Sequence, residues 1–283
     1  MAEAPSTDAP EFSLRFWGVR GTIACPGPDY IRYGGNTSCI ELRCGDRLMI
    51  LDAGTGLRGL GTELVKDGPI DVDLLLTHTH LDHLAGMPFF IPFFKPKNRI
   101  RLWAGHLYGT DATLHGALKR MMGAPLFPVP FDALAAEIDF KEFVCGETLH
   151  FGDDIVARTA PLNHPNGATG YRIEYGGKSA CYITDTEHVE GRLDENILGL
   201  IDGTDIFIYD ATYTDEEYPN YRGWGHSTWE EGVRLAEKAG VGQYVIFHHA
   251  PEHTDDMMDQ ISDTARRVMP SATVAREGMI LRP

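Results

Sequence analysis

Short apolar runs alternate with glycine- and proline-bearing turns along this chain, and their spacing predicts alternating strands and helices. In the first half, strands are predicted over 12–16, 38–43 and 47–51, with a Gly/Pro-rich loop from Gly18 to Gly35 after the first. The glycine turn Asp52-Ala53-Gly54-Thr55-Gly56 leads into a helix over 57–66, and the continuous apolar run 72–76 has the length of a buried strand. In the second half, the pattern predicts strands over 155–160, 171–175, 180–184, 206–209 and 244–247, and helices over 228–239 and 255–268. Between the halves, 87–139 is dense in proline and aromatic residues and carries one predicted helix, over 111–122. It reads as an insert, either a lid or a crossover covering the core, and its aromatic density favours the crossover. Strands and helices mixed in two similar halves predict facing sheets with helices outside. A single domain over 12–283 is expected, after a short disordered leader over 1–11.

The strand predicted over 72–76 ends in Thr77-His78-Thr79-His80-Leu81-Asp82-His83, which packs four potential metal ligands into six positions. Side-chain alternation puts His78 and His80 on one side, and Asp82 and His83 fall on the following turn, where they can face a second centre. Further donors stand just beyond other predicted strands: His164, Asp185 and His248. Loop residues in such positions converge on one rim of an α/β core. Two centres follow, one held by His78, His80 and His164, the other by Asp82, His83 and His248, with Asp185 between them. Imidazole and carboxylate donors suit two divalent ions, zinc first and manganese second, in a hydrolytic site. Asp82 thus counts both as a ligand and as a catalytic residue. Asp52 is expected to fix a histidine tautomer beside the metals. His226 precedes Ser227-Thr228-Trp229-Glu230, which reads as a capping box opening the helix that ends at Gly240. Asp210, ending a strand, can orient that imidazole, and such a pair can give a proton to a leaving oxygen. His106, His115, His150, His188, His249 and His253 read as surface or packing residues.

Composition narrows the partners. With 43% hydrophobic residues the chain can bury a large core, and no apolar run is long enough for a membrane span. The first residues lack the basic and apolar regions of a secretory signal. Five cysteines in no Cys-x-x-Cys pair fit idle thiols in a reducing cytoplasm. A net charge of −16 opposes long nucleic acids, which need a basic track, and leaves a small anionic substrate drawn in by the metals.

The segment His78-Thr79-His80-Leu81-Asp82-His83 resembles the HxHxDH motif of the metallo-β-lactamase-fold superfamily. Asp210-Ala211-Thr212 and Gly225-His226-Ser227-Thr228 look like the Glu-Ala-Thr and His-Ser-Thr elements with which ribonuclease-Z-like members position a proton donor. Asp210 stands where relatives have Glu. His248 is similar to the family's last ligand, and Tyr33-Gly34-Gly35-Asn36-Thr37-Ser38 sits where the family has a substrate-proximal loop. His at position 80, rather than Glu, separates the chain from the di-iron redox branch. The resemblance implies an αβ/βα four-layer sandwich of two mixed β-sheets, and a phosphodiesterase acting on small cyclic phosphodiesters such as cyclic nucleotides. It also implies a homodimer. A tRNA-processing endoribonuclease and a carbon-ester or lactone hydrolase are the alternatives. No gripping arm for tRNA is visible.

Overall fold

The computed structural model describes residues 12–283; the expected leader over 1–11 lies outside the described residues. The first half runs β1 (Phe12–Gly18), β2 (Cys39–Cys44), β3 (Arg47–Leu51), α1 (Gly56–Leu64), β4 (Asp71–Leu76), the single turn α2 (Leu81–Leu84), β5 (Arg99–Ala104), α3 (Leu114–Met121) and β6 (Glu137–Glu142). The second runs β7 (Thr148–Phe151), β8 (Ile155–Leu162), β9 (Ala168–Tyr175), β10 (Lys178–Ile183), α4 (Glu195–Ile201), β11 (Ile206–Asp210), α5 (Trp229–Ala239), β12 (Gln243–Phe247), α6 (Asp255–Val268), β13 (Ala272–Val274) and β14 (Ile280–Leu281). They form two seven-stranded mixed sheets, ordered β14-β1-β2-β3-β4-β5-β6 and β13-β12-β11-β10-β9-β8-β7. Short hairpins join β2 to β3 and β7 through β10 as antiparallel neighbours, and β1 pairs antiparallel with β2 across the long loop after it, whereas β3 to β6 and β10 to β13 are parallel, with helical or irregular crossovers between most of them.

Three apolar clusters define four layers. Phe16, Leu42, Leu51 and Leu75 meet Tyr171, Tyr182, Ile208 and Phe247 between the sheets. Leu57, Leu60 and Leu118 of α1 and α3 cover the outer face of the first sheet, and Ile197, Val233, Leu235 and Met258 of α4, α5 and α6 cover that of the second. This is the expected αβ/βα sandwich.

Two expectations need correction. The segment 87–139 contains β5 and the start of β6, not only a helix, because Ile100, Leu102 and Ala104 alternate with charged or aromatic residues as a sheet requires. Its aromatics divide: Phe90 and Phe93 are fully buried against α1 and Phe131 is buried beside α3, whereas Phe89 and Tyr108 are exposed. Second, α5 is capped one residue later than predicted. Thr228 accepts the Glu231 amide at 3.1 Å, because the Ser227 hydroxyl is taken by Tyr209 Oη at 2.9 Å and His188 Nδ1 at 2.7 Å. At the other end Gly240 takes the left-handed conformation, with φ 64°, that closes the helix.

Candidate metal centre

The strand ends deliver the site. Thr77 to His83 follow β4, His164 follows β8, Asp185 follows β10, Asp210 ends β11 and His248 follows β12. Sharp turns are needed there to point side chains across the rim: Asp52, Asp185 and His248 have φ values of 60°, 62° and 63°, a region that side-chain-bearing residues seldom occupy.

All seven ligand candidates converge. His78, His80 and His164 form one cluster, and Asp82, His83, Asp185 and His248 form another. Asp185 faces both. Its Oδ2 lies 3.2 Å from His83 Nε2 and 3.3 Å from His248 Nε2, while its Oδ1 lies 3.7 Å from His78 Nε2 and 3.8 Å from His164 Nε2. Asp82 Oδ2 completes the second group, 3.3 Å from His83 Nε2 and 3.4 Å from His248 Nε2. Donor atoms about 2.0–2.1 Å from a tetrahedral ion lie about 3.3 Å apart, which is the spacing of this second group. His80 Nδ1 sits 3.0 Å from His164 Nε2.

Two observations test whether these residues fit cations. The Nε2 atoms of His78, His83 and His248 are buried and have no hydrogen-bond partner, an expensive arrangement unless each binds an ion. Asp52, Asp82, Asp185 and Asp210 are also buried, and their only ion-pair partners among the described residues are histidines. Buried carboxylates without Lys or Arg call for cations. Burial opposes the charge of Asp82 and Asp185, yet the surrounding imidazoles hold both well below the usual carboxylate range. Burial drives His78 the other way, toward its neutral, ligating form.

A ring of support fixes the tautomers. His83 Nδ1 donates to Asp52 Oδ2 at 2.8 Å, and His164 Nδ1 donates to the Gly225 carbonyl at 2.7 Å. Thr77 Oγ1 stands 3.1 Å from His78 Nδ1 and donates to Asp52 Oδ2 at 2.9 Å. Thr212 Oγ1 stands 3.0 Å from His248 Nδ1 and donates to Asp210 Oδ1 at 2.7 Å. In each case the proton on Nδ1 leaves Nε2 free to face the centre. Asp52 was legible as such a support. Thr77, directly before His78, and Thr212, in Asp-Ala-Thr, carry no sequence signal for this role.

His226 lies at the edge of the clusters. Its Nδ1 donates to Asp210 Oδ2 at 3.0 Å and is 3.9 Å from Asp185 Oδ1. Burial disfavours the imidazolium, but the Asp210 carboxylate outweighs it and pushes the His226 pKa up to about 9. The shorter Asp side chain therefore still reaches the imidazole. Asp210 Oδ2 also accepts the Thr186 amide at 3.1 Å.

The other histidines divide. His115 and His150 are exposed, whereas His188, His249 and His253 are buried and hydrogen-bonded, the last to Glu217 at 3.0 Å. His106, read as surface or packing, instead contacts Thr79 Oγ1 at 3.1 Å beside His78, and burial pushes its pKa down to about 4. The loop Tyr33 to Ser38 is tied to other elements, and the Tyr33 ring stands edge-to-face with that of His249 at 6.2 Å. Tyr33 Oη donates to Asp259 at 2.8 Å, Asn36 bonds Glu277, and Thr37 exchanges hydrogen bonds with Thr55.

The family described as "Beta-lactamase superfamily domain" matches residues 47–249. The ribonuclease Z of Bradyrhizobium sp. (strain ORS 278) is 24% identical over 315 residues, covering 94% of this chain and 98% of the relative. Among solved structures, a diphosphatase from the PhnP family superposes with a TM-score of 0.69 at 18% identity, over 96% of this chain and 98% of the other. Zn(2+)-bound PqqB from Methylobacterium extorquens gives a TM-score of 0.69 at 20% identity, over 96% and 100%.

Proposed function

The chain belongs to the β-lactamase superfamily domain family, in its ribonuclease-Z-like metallo-β-lactamase branch, and from that premise we propose that it hydrolyses small cyclic phosphodiesters such as cyclic nucleotides. That it is a metal-dependent hydrolase follows from the family. The observation that carries the finer proposal is the His226–Asp210 pair, set on the same rim as two clusters of metal-ligating side chains.

His78, His80 and His164 would hold one divalent ion and Asp82, His83 and His248 the other, with Asp185 shared. Zinc is the first choice for these donors, as in the PqqB structure, and manganese the second. Two such ions, when bound, supply Lewis-acid polarisation of the phosphoryl oxygens and an activated water. The chain's own residues do the rest. Thr77, Asp52, Thr212 and the Gly225 carbonyl hold the imidazoles in place before substrate arrives, so little reorganisation remains at the moment of reaction. Asp210 accepts the Nδ1 proton of His226 at 3.0 Å and so orients the ring, leaving Nε2 as the atom that would give a proton to the ribose oxygen that departs. Phosphorus thus exchanges a P–O bond to ribose for one to the water oxygen, and His226 supplies the proton on the departing oxygen.

A second reading, a tRNA-processing nuclease, is favoured by the ribonuclease Z likeness over 94% of the chain. Charge opposes it: the net charge is −16, and the long excursion between β5 and β6 carries only Lys119 and Arg120 as basic residues, with Lys119 already paired to Asp132. The same proposal places the protein in the cytoplasm, with no membrane or long nucleic-acid partner. We also propose a homodimer; Phe89, Tyr108 and Leu126 in the segment 87–139 are exposed apolar residues that a partner could cover.

The test is leaving-group dependence. A ribose alkoxide needs a proton in the transition state, whereas p-nitrophenolate hardly does. His226→Ala is expected to lower turnover on a 2′,3′-cyclic nucleotide by roughly 10²–10⁴-fold, while slowing bis(p-nitrophenyl) phosphate much less and leaving metal content intact. Asp210→Asn should follow the same pattern more weakly. Equal losses on both substrates, or lost metal, would make His226 a ligand or a packing residue.

A further inference from the structure

The loop before His226 exposes a large aromatic ring that the chemistry above does not use. Trp224 is 62% exposed, on a chain with an acidic surface and beside a site built of charged groups. It is held firmly nonetheless. One face of the loop wraps the Glu187 carboxylate, which accepts the Gly223 amide at 2.8 Å and the Gly225 amide at 2.8 Å. The Trp224 ring stands edge-to-face on Tyr221 with centroids 5.5 Å apart, and Tyr221 is stacked on buried Tyr213 at 4.2 Å and 6°. Tyr213 in turn meets the His226 ring at 6.2 Å. The next residue, Gly225, takes φ +86° and gives its carbonyl to His164; a Cβ there would fall 2.3 Å from His164 Nδ1. Trp224 is therefore anchored to the rim at His164 on one side and to the proton donor on the other.

We infer that Trp224 is a stacking platform for the nucleobase of the leaving alcohol, so that the substrates are base-bearing cyclic nucleotides rather than cyclic phosphates of a bare sugar. The side is set by chemistry: His226 protonates the departing ribose oxygen, so the base carried by that ribose lies on the side of the His226 loop. The loop backbone is held by Glu187 and the ring rests against Tyr221 before binding, which lowers the ordering cost of stacking. Stacking on an aromatic face is tolerant of base identity, so the platform selects for a base without choosing among them. The inference rests on the phosphodiesterase proposal.

The experiment compares 2′,3′-cyclic AMP with the 2,3-cyclic phosphate of methyl riboside, which lacks the base, in the metal-loaded enzyme. Trp224→Ala is expected to raise KM for the nucleotide by about 5- to 150-fold, the range of base–aromatic stacking, and to leave the base-free substrate unchanged. Trp224→Phe should restore most of the difference. Independently, adenosine 3′-monophosphate should quench tryptophan fluorescence in the wild type and not in Trp224→Phe, since Trp17, Trp103 and Trp229 are less exposed. Equal KM values for the two substrates in the wild type, with no quenching, would overturn the platform while leaving the phosphodiesterase standing. A shift of Trp224→Ala in oligomeric state with the KM ratio unchanged would also overturn it. If neither cyclic phosphate is hydrolysed, the phosphodiesterase proposal fails and quenching alone decides whether a base binds Trp224.

Discussion

At the scale of the residue, Asp185 joins what would otherwise be two separate clusters. One oxygen faces His83 and His248, the other His78 and His164, and the backbone turns through φ 62° to aim it. Elemental analysis of protein purified without added metal is expected to give about two divalent ions per chain, as in two-metal hydrolases, with a marked loss in Asp185→Ala. A content near one, unchanged in the variant, would remove the shared carboxylate from the account. The sequence made the donors legible because each follows an apolar run, and strands deposit their next residues at one rim. It did not make Thr77 and Thr212 legible as supports, since a threonine's partner depends on which strand end faces it: Thr77 meets Asp52 after β3, and Thr212 meets His248 after β12. Glu187 was hidden for the same reason, its carboxylate being claimed by amides more than thirty residues away.

At the scale of the element, continuous apolar runs and long periodic segments were readable, and very short edge strands or strands carrying many charges were not. Helix α6 was predicted over its full observed range, because a polar face alternates cleanly with Met258, Ile261 and Ala265. The edge strands β7, β13 and β14 are too short for periodicity to register, and β6 carries charged residues along much of its length. Close approaches between elements also escape a one-dimensional pattern. Gly21, in the loop after β1, lies so near the end of β12 that a Cβ would fall 2.4 Å from the His248 ring. Gly21→Ala should displace that imidazole and weaken metal binding by roughly 10- to 100-fold, the scale for disturbing a ligand's support, with the far-ultraviolet circular dichroism spectrum unchanged. A chelator competition giving wild-type affinity would show that the ring can yield at no cost. At the start of α5, burial, with Asp215 adding to it, pushes the Glu230 pKa up to about 7 from its ordinary 4.5. A carboxyl whose folded pKa is raised stabilises the fold below its unfolded pKa and loses that contribution as pH rises through the folded value. Glu230→Gln should therefore raise the Tm relative to wild type at about pH 8 and give little gain at about pH 4. The same gain at both values would mean that the carboxylate's charge is not what costs stability.

At the scale of the whole molecule, two sheets with helices outside form a frame in which the C-terminal ends of β3, β4, β10, β11 and β12 meet at one rim, where α/β folds place their chemistry. The frame is shared with ribonuclease Z, the PhnP-family diphosphatase and PqqB, so the choice of substrate falls to the surface around it. An excess of 41 acidic over 25 basic residues opposes a long polyanion within a screening length of the surface, which is the ground for proposing a compact phosphodiester. The most direct measurement is therefore a competition in one vessel: kcat/KM of the metal-loaded enzyme for a 2′,3′-cyclic nucleotide against that for pre-tRNA. Efficient opening of the cyclic nucleotide with pre-tRNA left essentially intact is the expected result; efficient cutting of pre-tRNA with the cyclic nucleotide untouched would contradict it.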